Sequence, residues 1–483
     1  MKKVLIYKPG MRRDPSVGEL PNIGMAILAA EFEANGWEAR VVDHQMAPKP
    51  NVEEGLTILK EYKPDLLCIS LVTFEWVLPV THKIMNLANH LNIPVWVGGP
   101  HSTAFHDIMA KDERITKVVN GEVDGQLQEV FKSNEKVVVL PRPKSFTTPN
   151  FTLTDDYEKI GLYPLFTSRG CKYKCNFCAA TVTHGNILRN RTLDDVWKEL
   201  DSIEEKLPGI HTIWVIDDDF ITNFDHAMEF CRGFEERGYR EKYEIKVINV
   251  RADRLHDEFL DWLKRMGIKQ LSIGMESADK EVFRRIGKGE KLDTVKDAIL
   301  KLQSWGITPW LNMIIGLPYD SKEAHKNSLN WVASLPKPKV VQWLIYAPFR
   351  GTRAYDHYVK MGAIEDGYIP GFQSEYQQIP QEGFFDIPGF DRYEQRIAQL
   401  EAYLKCESPI LIMNDAEVRK LCKKHNMMDL YKEWRANAPI EEFVKKTVPD
   451  QVKRGRLDTS KMGDVDWDTR DQNRQREVYE IDH

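Results

Sequence analysis

Two trains of short apolar runs, each run separated from the next by room for a helix, constrain the fold of this 483-residue chain more than any other feature. The first train comprises "VLIY" (4–7), "ARVVD" (39–43), "DLLCIS" (65–70), "VWVGG" (95–99) and "KVVN" (117–120). Such runs read as buried strands. Between the first two, Leu20, Ile23, Ile27, Ala30 and Ala34 recur at helical spacing, and Gly36 supplies a C-terminal stop. Strands alternating with helices imply right-handed crossovers and a parallel sheet. The first train therefore predicts a Rossmann-like, doubly wound domain over residues 1–145, with its ligand beyond the carboxyl ends of the strands.

The stretch "PRPKSFTTPNFTLTDDYEK" (141–159) reads as a linker, placed at 146–160. The second train follows: "PLFTS" (164–168), "TIWVIDDD" (212–219), "EIKVINVRAD" (244–253), "QLSIGMES" (270–277), "PWLNMIIGLP" (309–318) and "VVQWLIYAP" (340–348). Six β/α units are too few for the full eight-stranded barrel. They predict a curved, open, partial (β/α)6 barrel over 161–365. From 366 to 483 the pattern turns helical and aromatic, as in "DRYEQRIAQLEAYLKC" (391–406), and it ends in a polar stretch that reads as a mobile tail. That C-terminal region, with the aromatic, Pro/Gly-rich segment 371–390, is the expected lid and source of substrate contacts. The expected fold class is α/β: a doubly wound parallel sheet, then a partial barrel, then a mainly α-helical region.

Hydrophobic residues make up 42% of the chain and charged residues 29%, enough for ordinary cores. Seven cysteines, an odd number, do not make the disulfide framework of a secreted domain. The N-terminal apolar run is broken by Lys8 and Pro9, too early for a signal peptide. No run of eighteen apolar residues occurs, so no membrane span is expected and the chain reads as cytoplasmic. A net charge of −6 offers no basic footprint for nucleic acid.

Three of the seven cysteines fall within "RGCKYKCNFC" (169–178): Cys171, Cys175 and Cys178. Clustered thiolates select zinc or iron–sulfur. A structural zinc site is closed and wants four ligands; His184 is the one nearby candidate for a fourth, since Cys68, Cys231, Cys406 and Cys422 are scattered. Three cysteines can instead hold three irons of a 4Fe-4S cluster and leave one iron open for chemistry.

"CKYKCNFC" resembles the Cys-x3-Cys-x2-Cys motif of the radical S-adenosylmethionine (radical SAM) superfamily, with an aromatic, Phe177, before the last cysteine. As in that family, the motif follows the first barrel strand. The resemblance implies that the open iron chelates S-adenosylmethionine and that the reduced cluster splits it to methionine and a 5′-deoxyadenosyl radical. That radical would then abstract hydrogen from an unactivated carbon. Further segments resemble the family in order. "WVIDDDF" (214–220) matches the acidic segment that holds the methionyl amino group, implicating Asp217, Asp218 and Asp219. "NVRADRL" (249–255) offers Arg251 to a carboxylate. "LSIGMES" (271–277) matches Gly-x-Glu-Ser, implicating Glu276 and Ser277, and "MIIGLP" (313–318) places Gly316 near adenine. The usual Gly-Glu-Thr continuation is "YDSKE" here.

A sheet domain before such a barrel resembles the cobalamin-dependent group, through "PNIGMAILAAEFEANGWEARVVDHQ" (21–45), "KPDLLCIS" (63–70), "VWVGGPHSTA" (95–104) and "VVNGEVDG" (118–125). The resemblance covers residues 1 to about 355. It implies cobalamin contacts from Ser70, Thr73, Gly98, Gly99 and the Ser102–Thr103 pair, with His101 facing the corrin. The Asp-x-His-x-x-Gly motif for a lower cobalt ligand is missing: in "DHQMAP" (43–48) Asp43 and His44 are adjacent. The function implied is a cobalamin-dependent radical SAM methyltransferase. It would methylate an unactivated carbon of a small-molecule or peptide natural product through methylcobalamin, with a flavodoxin or ferredoxin as electron donor. Two readings stand beside it. One is a cyclase, rearrangement or oxidation catalyst with the same cofactors; the other is a zinc-binding interaction protein.

Overall fold

The computed structural model describes residues 1–9, 20–44, 52–72, 79–246, 248–369, 384–408 and 415–437. The five runs of the first train form β1 (Lys2–Lys8), β2 (Trp37–Asp43), β3 (Leu66–Ser70), β4 (Val95–Gly98) and β5 (Lys117–Asn120), and a sixth strand that the train did not include, β6 (Val137–Val139), follows them. All pair in parallel, in the order β2-β1-β3-β4-β5-β6. The runs are continuously apolar because both faces are covered. Val4 and Ile6 of β1 pack with Met25, Ala29 and Phe32 of the helix Ile23–Ala34. Leu5 and Tyr7 point the other way, to Leu59, Ile84 and Met85 of the helices Val52–Tyr62 and Pro79–His90. Asn22 starts the first helix by accepting the Met25 N–H at 3.1 Å. The strand order reverses direction between β1 and β3. That switch point opens a crevice at the carboxyl ends of the strands.

The expected linker is stitched to both neighbours. Arg40 forks onto Asp155 at 2.9 and 2.7 Å, and Asp155 N donates to Val41 O at 2.8 Å. Phe151 enters the barrel core beside Tyr163.

The second train opens with β7 (Tyr163–Leu165) and an antiparallel ribbon of β8 (Ser168–Arg169) and β9 (Arg189–Asn190). Parallel strands follow: β10 (Thr212–Val215), β11 (Glu244–Lys246), β12 (Asn249–Val250), β13 (Gln270–Glu276), β14 (Thr308–Ile315) and β15 (Val340–Ile345). The expected third strand is in two pieces; β11 pairs with β10, and β12 pairs with β13. The sheet is thus β7-β10-β11 continued by β12-β13-β14-β15. Alternation sorts the faces. Leu271, Ile273, Leu311, Met313, Val341 and Trp343 are buried among the outer helices. Ser272, Glu276, Trp310, Asn312 and Gln342, on the inner face, are only half-buried.

The helix Arg392–Lys405 lies along the free edge of β15 instead of over the barrel mouth. Tyr403 Oη accepts from Trp343 N at 3.1 Å, and Gln399 Nε2 donates to Trp343 O at 2.6 Å. Segment 371–383 and residues beyond 437 lie outside the described residues. Among the described residues no helix is long and apolar enough to cross a membrane.

Candidate functional site

The cysteines sit in an excursion between β8 and β9, so one ribbon holds both ends of their loop. Gly170, just before Cys171, has φ +86°, and a Cβ there would meet Ile187 O at 2.2 Å. Only glycine lets the ribbon close this tightly. All three thiols are free and partly exposed. Burial pushes the Cys175 thiol up to about 11 and Cys178 up to about 12, so metal ligation there would release protons. The loop is docked on its far side. Asn176 N donates to Ile286 O at 2.9 Å, Ala354 N donates to Asn176 O at 2.9 Å, and Arg353 reaches Lys174 O. Phe177 packs against the barrel core.

The structure separates the three aspartates. Asp217 is buried and accepts Thr167 N at 2.7 Å, Thr167 Oγ1 at 2.8 Å and Ser168 Oγ at 2.6 Å. Burial pushes its carboxyl up to about 6 against those bonds. It therefore fixes the strand end before the cysteines and does not face the barrel mouth. Asp218 accepts Gly170 N at 2.8 Å and lines the cavity described below. Asp219 takes the Thr222 hydroxyl on Oδ2, while its buried Oδ1 has no hydrogen-bond partner among the described residues. That orphaned acceptor suits an incoming ammonium.

Arg251 forks onto Asp253 at 3.0 and 3.2 Å, donates to Lys288 O at 2.9 Å and lies 3.6 Å over the Tyr173 ring, inside the cysteine loop. Its guanidinium is thus engaged by the protein, not open to a bidentate ligand. Glu276 ends β13 with φ +69° at a break in register. A Cβ on Gly274 would meet Glu276 Oε1 at 2.4 Å, so the glycine of Gly-x-Glu makes room for the carboxylate. Lys288 stands 3.7 Å from Glu276 and 3.1 Å from the buried Glu290. Ser277 is turned away: its hydroxyl meets Ser328 Oγ at 3.1 Å and accepts Asp279 N. Gly316 (φ +85°) is covered by Gln395 and Ile387 of the C-terminal region. Asp320 accepts Gly316 N at 2.7 Å, which gives the divergent "YDSKE" stretch a local structural role.

At the switch point of the first sheet a cavity of about 370 Å³ opens toward the barrel. Ser70, Gly98 and Gly99 line it from the first module; Phe166, Arg169 and Asp218 line it from the second. Gly99 has φ +97°, and a Cβ would meet Leu71 O at 2.6 Å. Two expected contacts are displaced. His101 is 1% exposed, stacks on Phe105 at 4.5 Å and does not line the cavity. Ser102 is buried and donates to Gly98 O at 3.1 Å, while Thr103 beside it does line the cavity. Consecutive residues on a helix point about 100° apart, which sends the two hydroxyls in different directions. Thr73 lies outside the described residues. His44 is buried against Tyr7 Oη at 3.0 Å, away from the cavity. His184 pairs through Nδ1 with Glu122 at 2.7 Å and lines the cavity.

A family model described as the radical SAM superfamily matches residues 165–332, and one described as a B12 binding domain matches residues 13–131. The chain carries a radical SAM domain preceded by a B12-binding domain, the domain pair of cobalamin-dependent radical SAM enzymes. Among relatives of this chain, the hopanoid C-3 methylase of Methylococcus capsulatus strain Bath is 25% identical over 366 residues, covering 70% of this chain and 68% of that one. The fold matches the radical SAM methyltransferase TsrM from Kitasatospora setae at a TM-score of 0.61 and 17% identity, over 75% of this chain and 77% of that chain. It matches the cobalamin-dependent radical enzyme OxsB at a TM-score of 0.61 and 15% identity, over 99% and 84%.

The cofactors of a cobalamin-dependent radical SAM enzyme are a 4Fe-4S cluster, S-adenosylmethionine and cobalamin. The residues present fit them. The other four cysteines are buried elsewhere, leaving three thiols in one loop for the cluster. The Gly274 gap and the orphaned Asp219 oxygen offer acceptors to S-adenosylmethionine. The glycine-floored cavity sits where the switch-point rule puts a cofactor tail. Sequence reasoning missed Asn22, Gly121, Glu122, Asp124 and Arg169 as cavity residues. "VVNGEVDG" contained three of them. Their signal was the pair of acids among glycines at a strand's carboxyl end.

Proposed function

We propose that this enzyme is a radical C-methyltransferase acting on an unactivated carbon of a small-molecule or peptide substrate. The observation that carries the reading is the shared cavity: the switch-point crevice of the cobalamin module opens onto the strand ends that precede the cysteine loop. Reaction between groups held by two modules requires such facing. The likeness to a hopanoid methylase and to TsrM supports methyl transfer over the other outcomes open to these cofactors.

When bound, the cluster and cobalamin supply one-electron cleavage of S-adenosylmethionine and a carrier for the methyl group. The chain's own residues bind and orient. Cys171, Cys175 and Cys178 would hold the cluster. Asp218, Asp219 and Glu276 would receive the amino and ribose donors of S-adenosylmethionine. Asp217 and Arg251 act behind them, fixing β8 and the cysteine loop. Ser70, Gly98, Gly99 and Thr103 cradle the corrinoid. A flavodoxin or ferredoxin in the cytoplasm supplies the electron.

The test is anaerobic turnover of reconstituted protein with candidate substrates and product mass spectrometry. Product gaining one CH2, formed with 5′-deoxyadenosine and only when cobalamin is present, is expected. Methylated product in cobalamin-free protein sinks the proposal, and so does product that loses two hydrogens.

A further inference from the structure

Around the shared cavity the two modules are held by charge. Glu122, on the loop after β5, receives His184 Nδ1 at 2.7 Å and Arg189 Nη1 and Nη2 at 2.5 and 2.8 Å. Asp124, two residues on, accepts Arg169 Nη1 at 2.8 Å and Thr147 N at 3.2 Å. The two acid side chains are 9% and 3% exposed. Burial raises the Glu122 carboxyl, but the hydrogen bonds from Arg189 and His184 outweigh it and hold it down to about 2. Arg142 of the first module adds bonds to Val182 O, at 2.9 Å, and to Thr183 O.

The partners have a pattern. Arg169 closes β8, two residues before Cys171; Arg189 opens β9; His184 follows the short helix after Cys178. The acidic pair therefore grips both ends of the cysteine excursion. Glu122, Asp124, Arg169 and His184 also line the cavity. A ligand filling that cavity packs against the same side chains that hold the excursion.

We infer that Glu122 and Asp124 are positioning residues that couple occupancy of the cavity by a corrinoid to retention of the cluster in the cysteine loop. The inference rests on the cofactor assignment made above. At equilibrium such coupling is reciprocal: if corrinoid strengthens cluster binding, the cluster strengthens corrinoid binding by the same factor, and slower iron loss is the kinetic sign of the same restraint on the loop. Ion pairs with such low exposure transmit the constraint because losing one partner leaves the other charged and desolvated.

The experiment uses the full chain, reconstituted anaerobically, with two readouts that do not involve turnover. One is the rate of iron loss to a chelator, with and without hydroxocobalamin. The other is hydroxocobalamin affinity by absorbance titration, before and after cluster loading. For wild type, hydroxocobalamin should slow iron loss about tenfold and bind about tenfold more tightly to loaded protein, within the usual range of coupling. Glu122→Gln and Asp124→Asn should each bring both ratios to within about twofold of unity. Glu122→Gln/Arg189→Met should lose no more than either single variant, since the two side chains act as one unit. Asp107→Asn breaks a different bridge between the modules, to Arg350, and should keep the full coupling. Full coupling in the Glu122 and Asp124 variants overturns the inference. So does equal loss in Asp107→Asn, which would assign the effect to module docking in general. Wild type that takes up no hydroxocobalamin overturns the cofactor assignment itself, a different signature. Near-ultraviolet circular dichroism separates misfolded variants; if both carboxamide variants misfold, Arg169→Lys and Arg189→Lys carry the same comparison from the other side of the bridges.

Discussion

The absent side chain at Gly274 leaves the space that Glu276 Oε1 fills, and Lys288 Nζ stands 3.3 Å from where a Cβ would be. Gly274→Ala must push the carboxylate out of the barrel, since overpacking cannot be relieved where Lys288 and Glu290 are themselves buried. Binding of S-adenosylmethionine to cluster-loaded protein is expected to weaken by more than about tenfold, because a lost charge-assisted bond is of that order. Unchanged affinity by equilibrium dialysis would remove Glu276 from that role. Asp217 makes a different prediction. Its folded carboxyl sits at about 6, above the ordinary value of 3.8. The folded state thus holds a proton that the unfolded state releases. The stability this contributes is complete below about pH 4 and is lost as pH rises through 6, on the order of 3 kcal/mol. Asp217→Asn cannot titrate, so urea midpoints of variant and wild type should diverge across pH 4–6, the wild type falling relative to the variant. A constant difference would mean Asp217 is charged throughout. The cysteine motif, Glu276 and Asp218 were legible as types of residue at set intervals. What neighbours they meet was not: the sequence cannot show that Ser277 turns to Ser328 or that His101 stacks inward on Phe105.

Among elements, β15 has the most exposed task, since it is the open edge of an unclosed barrel. An edge strand invites pairing with other chains unless it is covered. Here a helix and the turn after it cover it with side chains that bond the strand's own backbone: Tyr403 Oη and Gln399 Nε2 of the helix on Trp343, and Ser408 Oγ of the turn accepting Val341 N at 3.2 Å. Gln399→Leu leaves Trp343 O with the Tyr403 hydroxyl alone, at 3.2 Å, and Gln399→Leu/Tyr403→Phe leaves both backbone groups of Trp343 without these partners. The double variant should lose about 2–6 kcal/mol, from about 1–3 for each buried group left unsatisfied. It should also aggregate more readily, which light scattering against time would record. A double variant as stable and dispersed as wild type would show that the helix is ornamental to the edge. The apolar runs marked nearly every strand, because parallel strands buried on both faces have no polar alternation to confuse them. They failed at the ends. β6 is a three-residue edge strand with Val139 67% exposed, and the run "VVVL" (137–140) that marks it directly precedes the stretch that reads as a linker. The third barrel strand read as one piece because its break leaves no Gly or Pro in "EIKVINV".

At the scale of the molecule, apolar packing divides where the polar bridges begin. The two sheet-face cores of the first module draw on residues from Val4 to Leu140, whereas the large core joins the barrel to the C-terminal helices and takes from the first module little beyond Ala26. The junction relies on pairs such as Arg169–Asp124, Arg189–Glu122 and Arg350–Asp107. A few ion pairs, even buried ones, restrain the residues they join, but they tie the unfolding of two modules together less than a shared apolar core would. Unfolding of the cofactor-free chain should therefore take two calorimetric steps, departing from two-state behaviour as multidomain chains do. The first module, with the smaller cores, should melt first, and the C-terminal helices should melt with the barrel. Hydroxocobalamin at a hundredfold excess over its dissociation constant should stabilise the first step by about 2.7 kcal/mol and so bring the two together. Chelation of the iron from loaded protein should then lower the barrel step alone in the absence of corrinoid. A single transition in the cofactor-free chain, unmoved by hydroxocobalamin, would mean that the modules share one cooperative unit and that the cavity between them does not receive a corrinoid.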